Sequence, residues 1–262
     1  MNRYLAIIIF IFVFVFVKSF LIEPNSLVAT DYSVEDKNLI GVKVAFITDV
    51  HLKRGDFKKI DRIVELTKNH NPNIIILGGD LVNENKKGVL PNINLLIQKL
   101  KQIQAPIFSV LGESDWATNG EKIKTALEGN GVHVLDDSNY RIIINGKYVD
   151  IIGLADYKTK NPDINNAFRR TRMPRIVISH NPDIYYDIMD DASVILSGHT
   201  HGGQFILPFT PPLIVSSKFG AEFASGIIKK THNVMIISKG IGTVGIPARL
   251  NCLPEVVFVN FR

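Results

Sequence analysis

The chain has 262 residues, enough for one large domain, and its 46% hydrophobic and 21% charged content excludes disorder as the default state. Its formal charge of +5 suits an anionic partner, but the basic residues are scattered in pairs. The one cluster, Arg169 to Arg175, reads as a solvated loop without a nucleic-acid recognition motif, so nucleic acid is not an expected partner. The single cysteine, Cys252, excludes an internal disulfide, a redox pair and a Cys-rich zinc site.

From the amino terminus, Tyr4 to Val17 reads YLAIIIFIFVFVFV, and after Lys18 the apolar character resumes through Ile22. That is close to the length that crosses a hydrocarbon core of about 30 Å. Arg3 and the amino terminus form a short positive region, but no clear small-x-small cleavage site follows. Residues 1–22 are therefore read as an uncleaved anchor, with a cleaved signal peptide or a buried strand as alternatives. Charges on both sides of the span leave its orientation open. Residues 23–40, polar and turn-rich, read as a linker to a domain over 41–262.

From Gly41 onward short β-branched runs alternate with segments of helical period, the pattern of an α/β domain. The runs are VKVAFIT, NIIILGG, PIFSVLG, VDIIGLA, RIVIS and SVILSG. Phe57, Ile60, Ile63, Val64 and Thr67 predict a helix over 55–69 that the NPN sequence stops. Ile93, Leu96, Leu100 and Ile103 predict another before Pro106. YRIIING and YVDIIGLA, joined by Asn-Gly-Lys, predict an antiparallel hairpin, and residues 226–238 a second, so a mixed sheet is expected.

The apolar runs end in metal-ligand chemistry. Asp49 and His51 close one, Asp80 another, Glu113, Ser114 and Asp115 a third, His180 a fourth, and His199 and His201 a fifth. In open α/β sheets ligands bind outside the carboxyl ends of strands, where such loops converge. Asp-x-His and His-x-His each place two side chains on the same side of an extended backbone, within reach of one cation. A donor set of carboxylates and imidazoles without thiolate suits manganese, iron or zinc. Each element is common alone, and the weight lies in five in succession. His70, His133 and His232 fall outside the pattern and read as ordinary core or surface residues.

These motifs resemble the calcineurin-like metallophosphoesterase family, whose signature runs D-x-H, G-D, G-N-H-D or E, an isolated His, then G-H-x-H. The stretches SGHTHGGQ and SKGIGTVGIPARLNCLPEVV, with the N-terminal span, are most similar to its membrane-anchored bacterial branch, which includes proteins similar to UDP-2,3-diacylglucosamine pyrophosphatases of lipid A synthesis. The resemblance implies a four-layer α/β/β/α sandwich with mixed sheets behind one N-terminal anchor helix in a bacterial inner membrane. It also implies two divalent metals, manganese foremost, with iron or zinc as alternatives, about 3.5 to 4 Å apart. One would be held by Asp49, His51, Asp80 and His201, the other by Asp80 as bridge, Glu113, His180 and His199. A hydroxide between them would attack phosphorus in line.

The sequence GESD departs from the signature, with Glu113 where the family has Asn and Ser114 where it has His, while Asp115 keeps the acidic position. A carboxylate can hold a metal as well as an amide oxygen does, with one more charge. Ser114 cannot act as a general acid near neutral pH, so about 10² to 10⁴ in rate is at stake for a poor leaving group and less for a pyrophosphate or nucleotide. Ser114 and Asp115 remain the catalytic candidates, with Arg54 and Arg249 as phosphate contacts. The Pro-rich apolar stretch QFILPFTPPLIV either packs on the domain or faces acyl chains or the bilayer.

The expected protein is thus a monomeric, membrane-anchored phosphohydrolase. Its expected substrate is a phosphodiester or pyrophosphate such as UDP-2,3-diacylglucosamine or another lipid-linked phosphate. A metal-loaded binding protein of weakened activity and a soluble nucleotide phosphodiesterase stand as alternatives.

Overall fold

The computed structural model describes residues 3–83, 88–188, 192–230 and 233–262. An apolar helix α1 (Arg3–Val17) continues through shorter helical turns to Asn25, and among the described residues this is the one helix long and apolar enough to cross a membrane. The same length and composition would fit a signal sequence.

Two six-stranded sheets follow. The first has the order β1 (Val28–Val34), β12 (Glu255–Phe261), β2 (Lys43–Ile47), β3 (Ile74–Leu77), β4 (Ile107–Ser109), β5 (His133–Val134). The second has the order β10 (Gly226–Lys230), β11 (Asn233–Ile237), β9 (Val194–Ser197), β8 (Arg175–Ile178), β7 (Lys147–Gly153), β6 (Ser138–Ile144). β2 through β5 run parallel, as do β7, β8, β9 and β11, while β12 opposes β2 and β6 and β10 form antiparallel edges. The sheets are mixed, as expected.

Aliphatic and aromatic residues fill the space between the sheets. Val44, Phe46, Ile74, Ile76 and Phe108 of the first meet Ile151, Ile176, Ile178, Val194 and Leu196 of the second. Strands buried on both faces read as continuous apolar runs, which explains the six runs in the sequence. Helices α2 (Phe57–His70), α3 (Leu90–Leu100) and α4 (Glu113–Gly129) cover the outer face of the first sheet through Ile60, Ile63, Leu96, Ile123 and Leu127. The outer face of the second is covered by α5 (Ile164–Ala167), α6 (Tyr185–Ile188) and the aromatic pair Phe219 and Phe223. This is the four-layer arrangement.

The α2 segment ends at Asn71 in the left-handed conformation, φ 46°, before Pro72. The Asn145-Gly146 turn joins β6 to β7 with both residues at positive φ, as a tight hairpin requires.

The linker expectation is corrected. Val28–Val34, inside the stretch read as a linker, pairs in parallel with β12 from Val28 opposite Glu255 to Val34 opposite Phe261. Leu39 and Val42 are fully buried in the core between the sheets. A strand with a free edge leaves backbone N–H and C=O groups unpaired, and this segment satisfies those of β12. Its polar Thr30, Asp31 and Ser33 gave it the composition of a loop.

Candidate metal centre

Loops after β2, β3, β4, β8 and β9 meet at one end of the two sheets. Asp49, His51, Asp80, His199 and His201 all adopt positive φ, from 46° to 71°, a conformation that costs a non-glycine residue about 1–3 kcal/mol and must be enforced by its surroundings. Backbone bonds supply the enforcement: Asp49 N–H donates to Gly79 O at 3.0 Å and His51 N–H to Asp80 O at 3.0 Å. The Asp49 carboxylate accepts from the His199 N–H at 3.1 Å and from the Thr48 hydroxyl at 2.8 Å, tying the β2 loop to the β9 loop. Gly198 and Gly112 pack so tightly that a Cβ on the first would press on the Asp49 carboxylate and on the second on that of Asp80.

Two groups of buried donors result, Asp49 with His51 and His201, and Asp49 with Asp80 and His180, the ligand atoms of each within 4.8 Å of one another. His201 Nε2 lies 3.3 Å from Asp49 Oδ1. Asp80 Oδ2 stands 3.6 Å from His51 Nε2 and 3.5 Å from His180 Nε2, between the two halves. The structure therefore brings Asp49, His51, Asp80, His180 and His201 together, with Asp49 common to both groups.

These residues fit divalent cations. His51 Nε2 and His201 Nε2 face each other at 3.1 Å, a gap in which one proton at most can lie and in which a cation would use both lone pairs. His180 Nδ1 bonds Gly78 O at 2.9 Å, which leaves the fully buried Nε2 without a hydrogen-bond partner beside Asp80. A backbone carbonyl on the far ring nitrogen is the usual way a ligating imidazole is oriented.

Burial raises the Asp49 and Asp80 carboxyl pKa values, but the imidazoles around them win and hold both well below the ordinary carboxylate range. Burial and the neighbouring His201 push His51 down to about 4. His180 goes the other way, because the Asp80 and Asp49 carboxylates outweigh its burial and raise its pKa. The centre is a set of ionised carboxylates competing for cationic partners, which suits metal binding with proton release.

The GESD loop differs from expectation. Glu113 begins α4, but its Oε2 lies 2.8 Å from Lys158 Nζ and its Oε1 3.7 Å from His199 Nδ1, so it stands at the rim in an ion pair and outside both donor groups. His199, expected as a ligand, likewise lies outside both, with Nε2 3.0 Å from the Ser216 hydroxyl. Ser114 is turned inward: its hydroxyl and its N–H donate to the two Asp80 oxygens at 2.8 Å each. It orients Asp80 and is itself buried.

Asp115, expected to be catalytic, is fully buried below the centre and accepts the N–H groups of Leu81, Val82 and Gly112 at 2.9 to 3.2 Å. It pins the Asp80 loop to the GESD turn; burial and the Asp80 charge push its pKa up to about 7. Arg249, expected at the phosphate, is completely buried, and its guanidinium is spent on the carbonyls of Lys239, Gly240, Gly242 and Cys252. It braces the loop after β11. Arg54 is exposed in the turn before α2 and makes no ion pair among the described residues.

Lys158 and Ser216 were not visible as site residues in the sequence, since they lie in loops with no ligand spacing. His70 stacks on Phe258 and His133 on Phe108, while His232 lies outside the described residues.

Residues 42–203 match the family described as calcineurin-like phosphoesterase. The Bacillus subtilis protein YpbG is 31% identical over 225 residues, covering 83% of this chain and 80% of its own. Phosphodiesterase YaeI of Escherichia coli is 28% identical over 233 residues, covering 85% and 83%. Among solved structures, TT1561 of Thermus thermophilus shares the fold, with a TM-score of 0.50 at 10% identity over 76% of this chain and 90% of that one. The family match spans well over half of the chain, which therefore belongs to the calcineurin-like phosphoesterases, a family of metal-dependent hydrolases.

Proposed function

We propose that the protein is a membrane-anchored, two-metal phosphohydrolase that cleaves a phosphodiester or pyrophosphate bond in a lipid-linked substrate. The observation that carries this reading is the makeup of the cleft over the metal centre. It has Asp80, Glu113, His199 and His201 among its lining, and also Ile214 and Val244. Ile214 is 82% exposed, and Leu207, Phe209 and Leu213 earlier in the same loop and Ile246 two residues after Val244 are exposed as well. An apolar rim of this kind at the mouth of a charged site suits acyl chains or a bilayer surface.

The helix supports the anchor half of the proposal. Phe12, Phe16 and Phe20 of the helical segment line a groove with Phe205 and Leu250, on the loops that carry the rim. Below them, Lys18 donates to Asn251 at 2.6 Å, Ser19 O accepts the Arg249 N–H at 2.9 Å, and the buried Glu23 accepts the Cys252 N–H at 3.2 Å. Cleavage near residue 20 would discard contacts that belong to the domain.

Divalent cations bound by Asp49, His51, Asp80, His180 and His201 would supply Lewis acidity toward phosphoryl oxygens and a more acidic water. The chain's own part is to hold these donors rigid, with Ser114 and Asp115 fixing Asp80, and to exclude water under the apolar rim. With Ser114 committed to Asp80, no imidazole at position 114 protonates the leaving group. A leaving group that departs unprotonated, as a phosphate ester does, is therefore favoured.

The test is hydrolysis of bis(p-nitrophenyl) phosphate and of UDP-2,3-diacylglucosamine by the detergent-solubilised full chain with manganese. Replacing Phe209, Leu213 and Ile214 by serine is expected to lower the lipid rate at least about tenfold, the value of burying one or two apolar side chains, while sparing the soluble ester. Equal loss on both would refute the lipid assignment. The inward Ser114 and the Glu113 to Lys158 pair also favour a second reading, a metal-loaded binding protein. That reading takes over if wild type is silent and Glu113→Asn with Ser114→His restores hydrolysis.

A further inference from the structure

We propose that a second anion subsite adjoins the metal centre. The cleft lined by Tyr157, Lys158, Asn181, Ser216, Ser217 and Lys218 would receive a phosphate group other than the one attacked, which makes the substrate a diphosphate ester. The inference rests on the phosphohydrolase reading above and narrows it.

The cleft has a volume of about 280 Å³ and shares His199 and Ser216 with the cleft over the metal centre, so the two adjoin. The wall carrying Lys158 is built. Asp156, fully buried, accepts the Thr159 N–H at 2.9 Å and its hydroxyl at 2.7 Å, which closes the turn after β7. Lys160 of that turn lies 3.8 Å from the centroid of a Trp116 ring, and Lys158 pairs with Glu113, so two cations clamp the turn to the first turn of α4. Across the cleft Lys218 Nζ bonds the Tyr157 hydroxyl at 3.1 Å.

Acidic groups lie near the cleft too: Asp183 lines it, Asp187 acts electrostatically on Lys218, and Glu113 stands beside Lys158. Asp183 accepts the Ser217 hydroxyl at 2.5 Å and the Lys218 N–H at 3.0 Å, while Glu113 balances Lys158 one for one. Asn181 accepts the Asp183 N–H through its Oδ1 at 2.8 Å, which leaves its NH2 group as a donor. Each ammonium has three N–H donors and spends one, and the Lys158 side chain is 52% exposed. What remains toward solvent is a donor surface suited to phosphate oxygens.

This arrangement also answers the loss of an acid at position 114. Hydrolysis adds water across P–O–P: the water oxygen bonds the attacked phosphorus, and the bridging oxygen keeps the bonding pair and departs on the second phosphate. The released proton goes to solvent. A diphosphate sets its second phosphoryl group one bridging oxygen from the first, and Lys158 and Lys218 would offset the charge it gains on departure.

The experiment uses the full-length, metal-loaded protein and the variants Lys218→Ala, Lys158→Ala and Lys218→Arg. Rates are measured on ADP-ribose, a soluble diphosphate diester, and on bis(p-nitrophenyl) phosphate, which has one phosphorus. Binding of methylenediphosphonate and of orthophosphate is measured by calorimetry. Lys218→Ala is expected to raise KM for ADP-ribose and weaken methylenediphosphonate about tenfold, the usual value of one charged hydrogen bond, with the monophosphate diester and orthophosphate within about twofold. Lys218→Arg should recover most of the loss, and Lys158→Ala should follow the same pattern. Equal losses on both substrates, or no loss of methylenediphosphonate binding in either alanine variant, would overturn the subsite. If wild type hydrolyses neither substrate, the phosphohydrolase reading falls and the calorimetry alone decides the subsite.

Discussion

The two halves of the metal centre are built to different standards. The half made by Asp49, His51, Asp80, His180 and His201 is buried, strained into positive φ at four of its five residues and locked by backbone hydrogen bonds between loops. The other half, Glu113 and His199, lies outside those donor groups: Glu113 stands at the rim paired with a half-exposed lysine, while His199 is buried like the donors but has its Nε2 beside a serine hydroxyl. Substitution is tolerable at the rim and not among the buried donors. A buried ligand cannot change without leaving its neighbours uncompensated, whereas a rim carboxylate can acquire a new partner from a nearby loop.

The largest effect is expected from Asp80→Ala. It removes the carboxylate between the two donor groups and should lower hydrolysis by at least about 10³-fold, the equivalent of several kcal/mol of lost charge stabilisation. Activity surviving on bis(p-nitrophenyl) phosphate would mean that the buried half is not the reactive centre. Next comes Ser114→Ala, which deletes one of two donors that orient Asp80. It should weaken metal binding about 10- to 100-fold in a calorimetric titration, as loss of such a supporting bond usually does.

Metal affinity should also depend on pH with a definite sign. The raised pKa of His180 means that, without metal, the proton stays on its imidazole to higher pH than on an ordinary histidine. Below that pKa the proton and the cation compete for one nitrogen, so affinity should rise with pH and metal uptake should release protons, measurable from the buffer dependence of the calorimetric heat. The smallest effect belongs to the rim. Glu113→Asn should change the rate by less than about tenfold in either direction, because an exposed ion pair contributes about 0–1 kcal/mol. A collapse to the level of Asp80→Ala would show that Glu113 works as a full ligand and that the two halves are alike.

Much of this was legible in the sequence for one reason. Strands buried on both faces appear as uninterrupted apolar runs, and each run stops where its loop enters the site, so Asp49, His51, Asp80, His180 and His201 announced themselves by position. What spacing cannot convey is which loop a side chain meets. Glu113 and Lys158 are 45 positions apart and join only because the turn after β7 folds onto α4. Arg249 looked like a phosphate contact because its place in GIPARLN matches one that the resembling branch keeps near the active site, yet its environment is a ring of carbonyls. Val28–Val34 looked like linker because an edge strand keeps polar residues on its open side.

The measurement that bears most directly on the central claim is the metal content of the purified full chain after equilibration with manganese and removal of excess, read by elemental analysis for wild type and Asp49→Ala. Asp49 belongs to both donor groups, so wild type should retain two ions per chain and the variant close to none. Equal metal content in the two proteins would contradict a dinuclear centre at these strand ends.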